Sequence, residues 1–275
     1  MTDARGSDGH AASFRVRFDE AGPDGLVRTS GLLRYTQDLA ARHSEALGYD
    51  RAWYRERGLT LLVRAAAIDV LAPIRYGTEL AGTTRVLGFS RVWSRRESTF
   101  HLGPQLVATV LIDWLLLDER GAPTRIPADI ETAFPSLARS AQLKLGRVAL
   151  GDSRDGAPPR GFEVRPHELD PLDHVNNAVY ADWVEEAVLA DPAGRAAIGA
   201  LPRRLRLEYA LPAQPGDRLA ARCWVAEGGW SCRIVRSNDG ADLVRARLEP
   251  GVPSATDDGA SSGPDGPALT GPNPR

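Results

Sequence analysis

Residues that form covalent cross-links or bind metals are scarce in this sequence, which has two cysteines and five histidines in 275 residues. Cys223 and Cys232 flank a Gly228-Gly229 turn in apparent strand sequence, so a disulfide between them is geometrically conceivable. The first twelve residues are polar and lack the apolar segment of a signal peptide. We therefore predict a cytoplasmic protein whose two thiols are free.

Long apolar runs and a charge excess of either sign are also missing. The longest apolar run, Val107–Leu117, is interrupted by Asp113 and is shorter than the roughly 18 residues of a membrane-spanning helix. The formal net charge of −2 gives no overall basic field for nucleic acid or an anionic membrane. The composition thus predicts a protein that binds neither.

Several well-known catalytic and binding motifs are absent. No Gly-x-Ser-x-Gly segment is present, so the serine nucleophile of the α/β-hydrolases is not expected. No group of Cys and His residues has zinc-binding spacing, and no phosphate-binding or dinucleotide-binding glycine loop occurs. We therefore expect no metal site.

Both ends of the chain are predicted to be disordered. Residues 1–12 are few and polar, and residues 251–275 contain five glycines and five prolines with Ser and Asp between them. Such segments bury too little apolar surface to offset the entropy lost on ordering.

Between these ends the sequence repeats one plan, a short strand followed by a helix and four longer strands. In the first half, alternating apolar and Arg residues predict a strand at Phe14–Phe18, and helical spacing predicts a helix at Ser30–Leu47. Turn residues then separate four predicted strands: Leu59–Val70, Glu79–Leu87, Arg91–Leu102 and Leu106–Asp118.

The second half follows the same order. A strand is predicted at Phe162–His167, and a helix from Asn176 or Asn177 to about Leu189. Its strands are predicted at Arg203–Tyr209, Arg218–Glu227, Trp230–Arg236 and Asp242–Leu248.

The repeat predicts an α+β chain in which two antiparallel sheets are each wrapped around a central helix and together form a pseudo-dimer. We assign residues 13–135 to the first half, 136–161 to a linker and 162–250 to the second half.

The most informative segment precedes the helix of the second half. It places Asp170, His174, Asn176 and Asn177 at or just before the helix N-terminus. Unpaired N–H groups and a partial positive charge at such a terminus can hold the oxyanion that forms when a carbonyl is attacked. A carboxylate nearby can activate water or attack directly. The segment therefore predicts hydrolysis of a carbonyl compound.

The pattern Asp-x-x-x-His-Val-Asn-Asn-x-x-Tyr-x-x-Trp resembles the signature of the hotdog thioesterases, and it is especially similar to that of the acyl-acyl carrier protein (acyl-ACP) thioesterases. The similarity extends over roughly Phe14 to Leu248. Shorter patterns elsewhere in the chain also match that family: Arg95-Arg96, Trp114, Ile126-Pro127, Leu207-Glu208-Tyr209 and Arg245-Ala246-Arg247.

This resemblance implies a tandem (double) hotdog fold and the release of free fatty acids from acyl-ACP, which ends or diverts fatty acid synthesis. It implies no metal or organic cofactor, and an acyl-ACP or acyl-CoA substrate. A monomeric pseudo-dimer or a homodimer is expected. It also implies that the first half, which lacks the His-Val-Asn-Asn motif, supplies packing and an acyl channel.

The resemblance assigns catalysis to Asp170 and His174. Asn176 and Asn177 are candidates for positioning the substrate or oxyanion, although their residue type favours N-capping of the helix. Glu186 corresponds to a family glutamate and is a possible accessory carboxylate, with a solvated or paired Glu as the alternative.

Three positions depart from the family pattern. Leu172 stands where the family usually has Asn, and Pro212 and Ala213 stand where it has Glu and Cys. Three interpretations therefore stay open besides acyl-ACP hydrolysis: an acyl-CoA thioesterase, a hydratase, or an inactive hotdog protein that binds acyl groups or a carrier. The hydratase would need a different His and Asp arrangement, which the sequence lacks.

Overall fold

A computed structural model describes residues 9–134, 137, 147–152 and 158–251. The first half begins with strand β1 and the long helix α1, and a short helix α2 follows α1 before the four long strands. Its elements are β1 (His10–Arg15), α1 (Thr29–Ala46), α2 (Arg51–Glu56), β2 (Thr60–Val70), β3 (Glu79–Phe89), β4 (Trp93–Leu102), β5 (Gln105–Leu117) and α3 (Ala128–Thr132).

The second half repeats this order with a shorter first strand. Its elements are β6 (Arg160–Glu163), α4 (Asn177–Leu189), α5 (Gly194–Gly199), β7 (Arg203–Tyr209), β8 (Arg218–Ala226), β9 (Gly229–Arg236) and β10 (Asp242–Pro250). The long predicted strands and both predicted helices are confirmed with bounds that differ by a few residues. The short helices α2, α3 and α5 were not predicted because five or six residues carry too little periodicity.

The ends and the linker are only partly described. Strand β1 begins at His10, inside the segment 1–12 that was assigned to a disordered N-terminus. The remaining disorder predictions, residues 1–8 and 252–275, lie outside the described residues, as does much of the predicted linker 136–161. Within that linker, the Val148 N–H donates to Glu208, and the Gly151 carbonyl accepts from Trp224.

All ten strands form one continuous antiparallel sheet in the order β1-β3-β4-β5-β2-β7-β10-β9-β8-β6. The prediction of two sheets, one around each helix, is therefore wrong, because the strands of both halves belong to one sheet. The strand order of the first half recurs, reversed in space, in the second half. The two halves meet where β2 pairs with β7, from Ala65 opposite Glu208 to Val70 opposite Arg203.

The junction of β2 and β7 differs on its two faces. On the inner face the opposed pair Ile68 and Leu205 is almost fully buried. On the outer face Arg204 makes two hydrogen bonds to the directly opposed Asp69, at 2.5 and 2.8 Å. Apolar burial and paired charges therefore both hold the halves together.

Strand alternation directs one hydrophobic core toward the helices. In β3, exposed and buried residues alternate from Glu79 to Val86, as expected for a sheet with one solvated face. Helix α1 packs on strands of the first half, α4 packs on β8 and β9, and the two helices contact each other. One of the hydrophobic core clusters thus contains residues of both halves.

The two cysteines do not remain free. Cys223 on β8 lies directly opposite Cys232 on β9, and the structure joins them by a disulfide. The prediction of free thiols is therefore wrong, because the hairpin register places the two side chains opposite each other. Among the described residues, no helix is both long and apolar enough to cross a membrane.

The buried carboxylate of Glu208 provides a test of the junction between the halves. It accepts from Arg64 on β2 at 3.3 Å and from the Val148 N–H at 2.9 Å. We expect Glu208→Ala to lower the free energy of unfolding by about 2–4 kcal/mol, because buried donors lose their partner. Urea denaturation measures this change.

The matched control is Asp38→Ala, which removes an exposed ion pair with Arg42 on α1. We expect this variant to change the free energy of unfolding by about 0.5 kcal/mol or less. An equal effect of the two substitutions would contradict a special role for the buried carboxylate.

Candidate active site

The loop before α4 is closed by its own backbone. The Asp170 N–H donates to the His174 carbonyl at 2.7 Å, and Leu169 and Val175 form an isolated antiparallel bridge. Asp173 has a φ of 61°, the left-handed region that Gly and Asp tolerate best. This geometry fixes Asp170 and His174 on one compact loop beside the helix N-terminus.

The Asp170 carboxylate has one structural oxygen and one free oxygen. Its Oδ1 accepts from the Leu172 N–H at 2.8 Å and from the His174 N–H at 3.4 Å. Its Oδ2 has no hydrogen bond to any described residue. The carboxylate is therefore oriented by its own loop while one oxygen stays available for chemistry.

His174 is partly buried and lines the same cavity as Asp170. Its backbone closes the loop, whereas its imidazole makes no hydrogen bond to the described residues. A ring without a protein partner can donate to or accept from a bound substrate or water.

The N-terminus of α4 leaves one donor available. Asn176 is the N-cap, and its Oδ1 accepts from the Ala178 N–H at 2.9 Å. The Val179 N–H bonds back to the Asn176 carbonyl. The Asn177 N–H has no hydrogen-bond partner among the described residues, and Asn177 lines the cavity. The helix therefore presents a free N–H at its positive end.

The first half contributes a residue that the sequence analysis missed. Gln37 on α1 accepts from the Asn176 side-chain N–H at 3.1 Å, and both residues line the cavity. A polar Gln among buried neighbours on α1 was the only available sequence signal. That signal did not indicate which residue Gln37 would contact, because the hydrogen bond joins residues 139 positions apart.

The two helix glutamates lie away from the loop. Glu186, the predicted accessory carboxylate, is exposed and forms a surface ion pair with Arg160. Among the described residues, neither it nor Glu185 lines the cavity. Glu185 accepts from Thr29 at the start of α1, and burial raises the pKa of its carboxyl. The structure therefore does not bring Glu186 together with Asp170.

Two tyrosines that line the cavity connect α4 to β7 and to the segment after it. The Tyr209 hydroxyl donates to the Asn177 carbonyl at 3.0 Å, and the Tyr180 hydroxyl accepts from the Ala213 N–H at 2.9 Å. Burial raises the pKa of Tyr180 to about 12, with a smaller contribution from the charges of Asp217 and Asp170. Both hydroxyls therefore stay protonated at neutral pH.

A cavity of about 920 Å³ extends from this loop into the first half. At the loop it is bordered by Leu172 and Leu211, which are 42% and 49% exposed. Its deeper wall is formed by buried apolar side chains of the first half: Val63, Val86, Phe89, Leu116, Ile126, Ile130 and Phe134. The cavity thus joins a solvent-accessible polar loop to an apolar interior.

The positions that depart from the family pattern lie at this solvent-accessible border. Leu172 and Pro212 both line the cavity. They place apolar surface where the resemblance implied amide and carboxylate groups. Asp170 is therefore the carboxylate that the loop before α4 places at this border.

The first half has the same loop without its chemical groups. Gly22 N–H donates to the Leu26 carbonyl at 2.8 Å, as Asp170 does to His174, and Ala21 bridges Val27. Gly22 and Leu26 thus stand where the second half has the carboxylate and the imidazole. Arg28 is the N-cap in place of Asn176. Of the two loops, only the one in the second half therefore carries the candidate carboxylate and imidazole at these positions.

Comparison with known proteins agrees with this geometry. Residues 7–134 match the model of the acyl-ACP thioesterase N-terminal domain, and residues 154–249 match that of the C-terminal domain. Two uncharacterised proteins of Mycobacterium tuberculosis, from strains CDC 1551 / Oshkosh and H37Rv, are each 26% identical over 199 residues. These matches cover 71% of this chain and 74% of the relative.

Solved structures show the same hotdog fold. The 12:0-ACP thioesterase from Umbellularia californica superposes with a TM-score of 0.73 at 19% identity and covers 88% of this chain and 96% of its own. An acyl-ACP thioesterase from Bacteroides thetaiotaomicron gives a TM-score of 0.73 at 14% identity, covering 88% and 97%. Together with the two domain matches, these findings show that the chain belongs to the acyl-ACP thioesterase family and is a thioester hydrolase.

Proposed function

We propose that this thioesterase hydrolyses fatty acyl-ACP at the loop before α4, with Asp170 as the catalytic carboxylate. The observation that carries the proposal is the junction of that loop with the apolar cavity of the first half. A fatty acyl chain needs an apolar channel, and its thioester needs a polar group with access to water. The loop and the cavity supply these side by side.

The free Oδ2 of Asp170 begins the reaction. As a general base it takes a proton from water while the water oxygen attacks the thioester carbon. As a nucleophile it attacks the carbon itself and forms an anhydride that water then opens. In both routes the C–S bond breaks, the carrier leaves as a thiolate that is then protonated, and a fatty acid remains.

The N-terminus of α4 stabilises the charge that develops on the carbonyl oxygen. The free Asn177 N–H and the positive end of the helix point to this role, and one such donor contributes roughly 3–4 kcal/mol to lowering the barrier. His174, on the same loop, orients the water or the leaving group. The contact between Asn176 and Gln37 holds the helix terminus against α1.

One chain contains all of these groups. The carboxylate, the imidazole and the helix terminus come from the second half, whereas Gln37 and most of the apolar wall come from the first. We infer that the chain acts as a pseudo-dimer with a single active site. A homodimer would then be compatible with activity but not needed for it.

The carrier distinguishes the main proposal from its nearest alternative. We expect a higher kcat/KM on acyl-ACP than on acyl-CoA of the same chain length, measured by release of the free thiol. Preference for acyl-CoA would instead support the acyl-CoA thioesterase. Acyl binding without turnover by the wild type would contradict the proposal.

Asp170→Asn tests the carboxylate without dismantling its loop, because the amide oxygen can still accept from the Leu172 and His174 N–H groups. We expect kcat to fall by about 10²–10⁴-fold. The matched control is Asp173→Asn, which removes an exposed charge three residues away. Equal activity of the two variants would overturn the assignment of Asp170.

A single turnover in ¹⁸O-labelled water tests the direct route. Attack of water on the thioester places labelled oxygen in the first fatty acid molecule released. Direct attack by Asp170, followed by attack of water on the Asp170 carbon of the anhydride, leaves that first molecule unlabelled, because its new oxygen comes from the carboxylate of the enzyme. An unlabelled first product therefore establishes the direct route.

Two substitutions at Asn176 separate its two hydrogen bonds. Asn176→Asp keeps an oxygen acceptor for the helix cap but loses the donor to Gln37, so we expect reduced kcat at nearly wild-type stability. Asn176→Ala loses both, and we expect a further loss of about 1 kcal/mol in the free energy of unfolding. Unchanged kcat in Asn176→Asp would show that the contact with Gln37 does not support catalysis.

A further inference from the structure

The wall of the cavity contains a buried cation that has no anionic partner among the described residues. Arg96 on β4 is 7% exposed and lines the cavity. Its hydrogen bond within the described residues runs from Nη1 to Nδ1 of His43, at 2.8 Å. No salt bridge joins it to a described carboxylate. This differs from the neighbouring Arg95, which pairs with Asp113 on the outer face at 2.7 Å.

The residues opposite Arg96 on the two neighbouring strands are apolar. Val86 and Ile112 lie directly opposite it on β3 and β5, and both are buried. Burial lowers the pKa of Arg96 to about 10, and the nearby Tyr54 hydroxyl opposes this shift. The guanidinium therefore remains protonated at neutral pH, in a place where an uncompensated charge is costly.

A second donor lies on the same wall. Ser94 and Trp114 are opposed on β4 and β5, and strand alternation puts them on the same face as Arg96. The Trp114 indole N–H is buried and has no acceptor among the described residues. The wall thus offers a guanidinium and an indole N–H, both donors, in a cavity that is otherwise suited to a hydrocarbon chain.

We propose that this wall binds a carboxylate carried on the acyl chain itself, away from the thioester, so that the enzyme favours acyl chains with a second acidic group. The inference rests on the proposed function. The guanidinium is already desolvated, and among the described residues only its Nη1 makes a hydrogen bond. A carboxylate can therefore form charge-assisted hydrogen bonds without a further cost of burying the cation. A plain chain leaves that charge uncompensated.

The catalytic test compares two acyl thioesters of equal carbon number on the same carrier, one ending in a methyl group and one in a carboxylate. We expect kcat/KM to be about tenfold or more higher for the carboxylate-ended chain, because one hydrogen-bonded charge supports that difference. In Arg96→Met we expect this preference to disappear, since Met keeps the bulk of the side chain and removes its charge.

Three further variants accompany this comparison. Trp114→Phe removes the indole N–H and should reduce the preference by a smaller factor. Arg96→Lys keeps the charge and should retain part of it, which preserves the test if Arg96→Met does not fold. The control is Arg85→Met on β3, whose arginine is exposed and pairs with Glu97, and we expect it to leave the preference unchanged.

Binding separates this inference from the proposed function. Calorimetry with a linear dicarboxylic acid and a monocarboxylic acid of equal length requires no hydrolysis. We expect tighter binding of the dicarboxylic acid by wild type and by Asp170→Asn, and loss of that advantage in Arg96→Met. Equal binding of the two acids by wild type, or an advantage that survives Arg96→Met, would overturn the inference whether or not the protein hydrolyses thioesters.

Discussion

The antiparallel pairing of β2 with β7 determines most of the functional architecture. It joins two five-stranded halves into one sheet, and it brings α1 and α4 into contact on that sheet. That contact places Gln37 against the N-cap of α4. The apolar cavity of the first half thereby opens at the loop of the second half, and neither half alone contains both parts.

The loops before the main helices of the two halves have the same backbone hydrogen bond, but their side chains differ. The loops before α1 and α4 share their hydrogen-bond closure, yet Gly22 and Leu26 replace the carboxylate and the imidazole. At the start of α1, Thr29 instead donates to Glu185. The repeat therefore supplies two equivalent loop backbones, and only the second-half loop carries the carboxylate and the imidazole that we propose for catalysis.

The thioester and the acyl chain are recognised by different physical means. The loop end of the cavity offers a carboxylate oxygen and a helix N–H that is free among the described residues, and we propose that both act on the carbonyl. The wall of the first half offers apolar burial, which is proportional to area and does not depend on orientation. Arg96 adds a directional charge to that wall, so the chain can be selected by chemistry as well as by length.

Local sequence patterns were sufficient to predict most of the long secondary-structure elements and the loop before α4. Alternation and helical spacing located the long strands and both main helices, because each depends on side chains a few residues apart. The motif from Asp170 to Trp183 likewise identified the loop, since its residues are adjacent in sequence. Contacts across the fold were beyond such patterns: the single sheet and the surface pairing of Glu186 with Arg160. The disulfide was missed for another reason, because the hairpin allowed it but the predicted cytoplasmic location favoured free thiols.

The sequence alone therefore determined the element order, the family resemblance and the loop that carries Asp170 and His174. Only the tertiary structure decided that the sheet is continuous, that Gln37 meets Asn176, and that Arg96 lies on the cavity wall with no salt bridge to a described carboxylate. The physical reason is one of distance along the chain. Strand register and helix contact bring together residues tens to more than a hundred positions apart, and no local periodicity records which of them will meet.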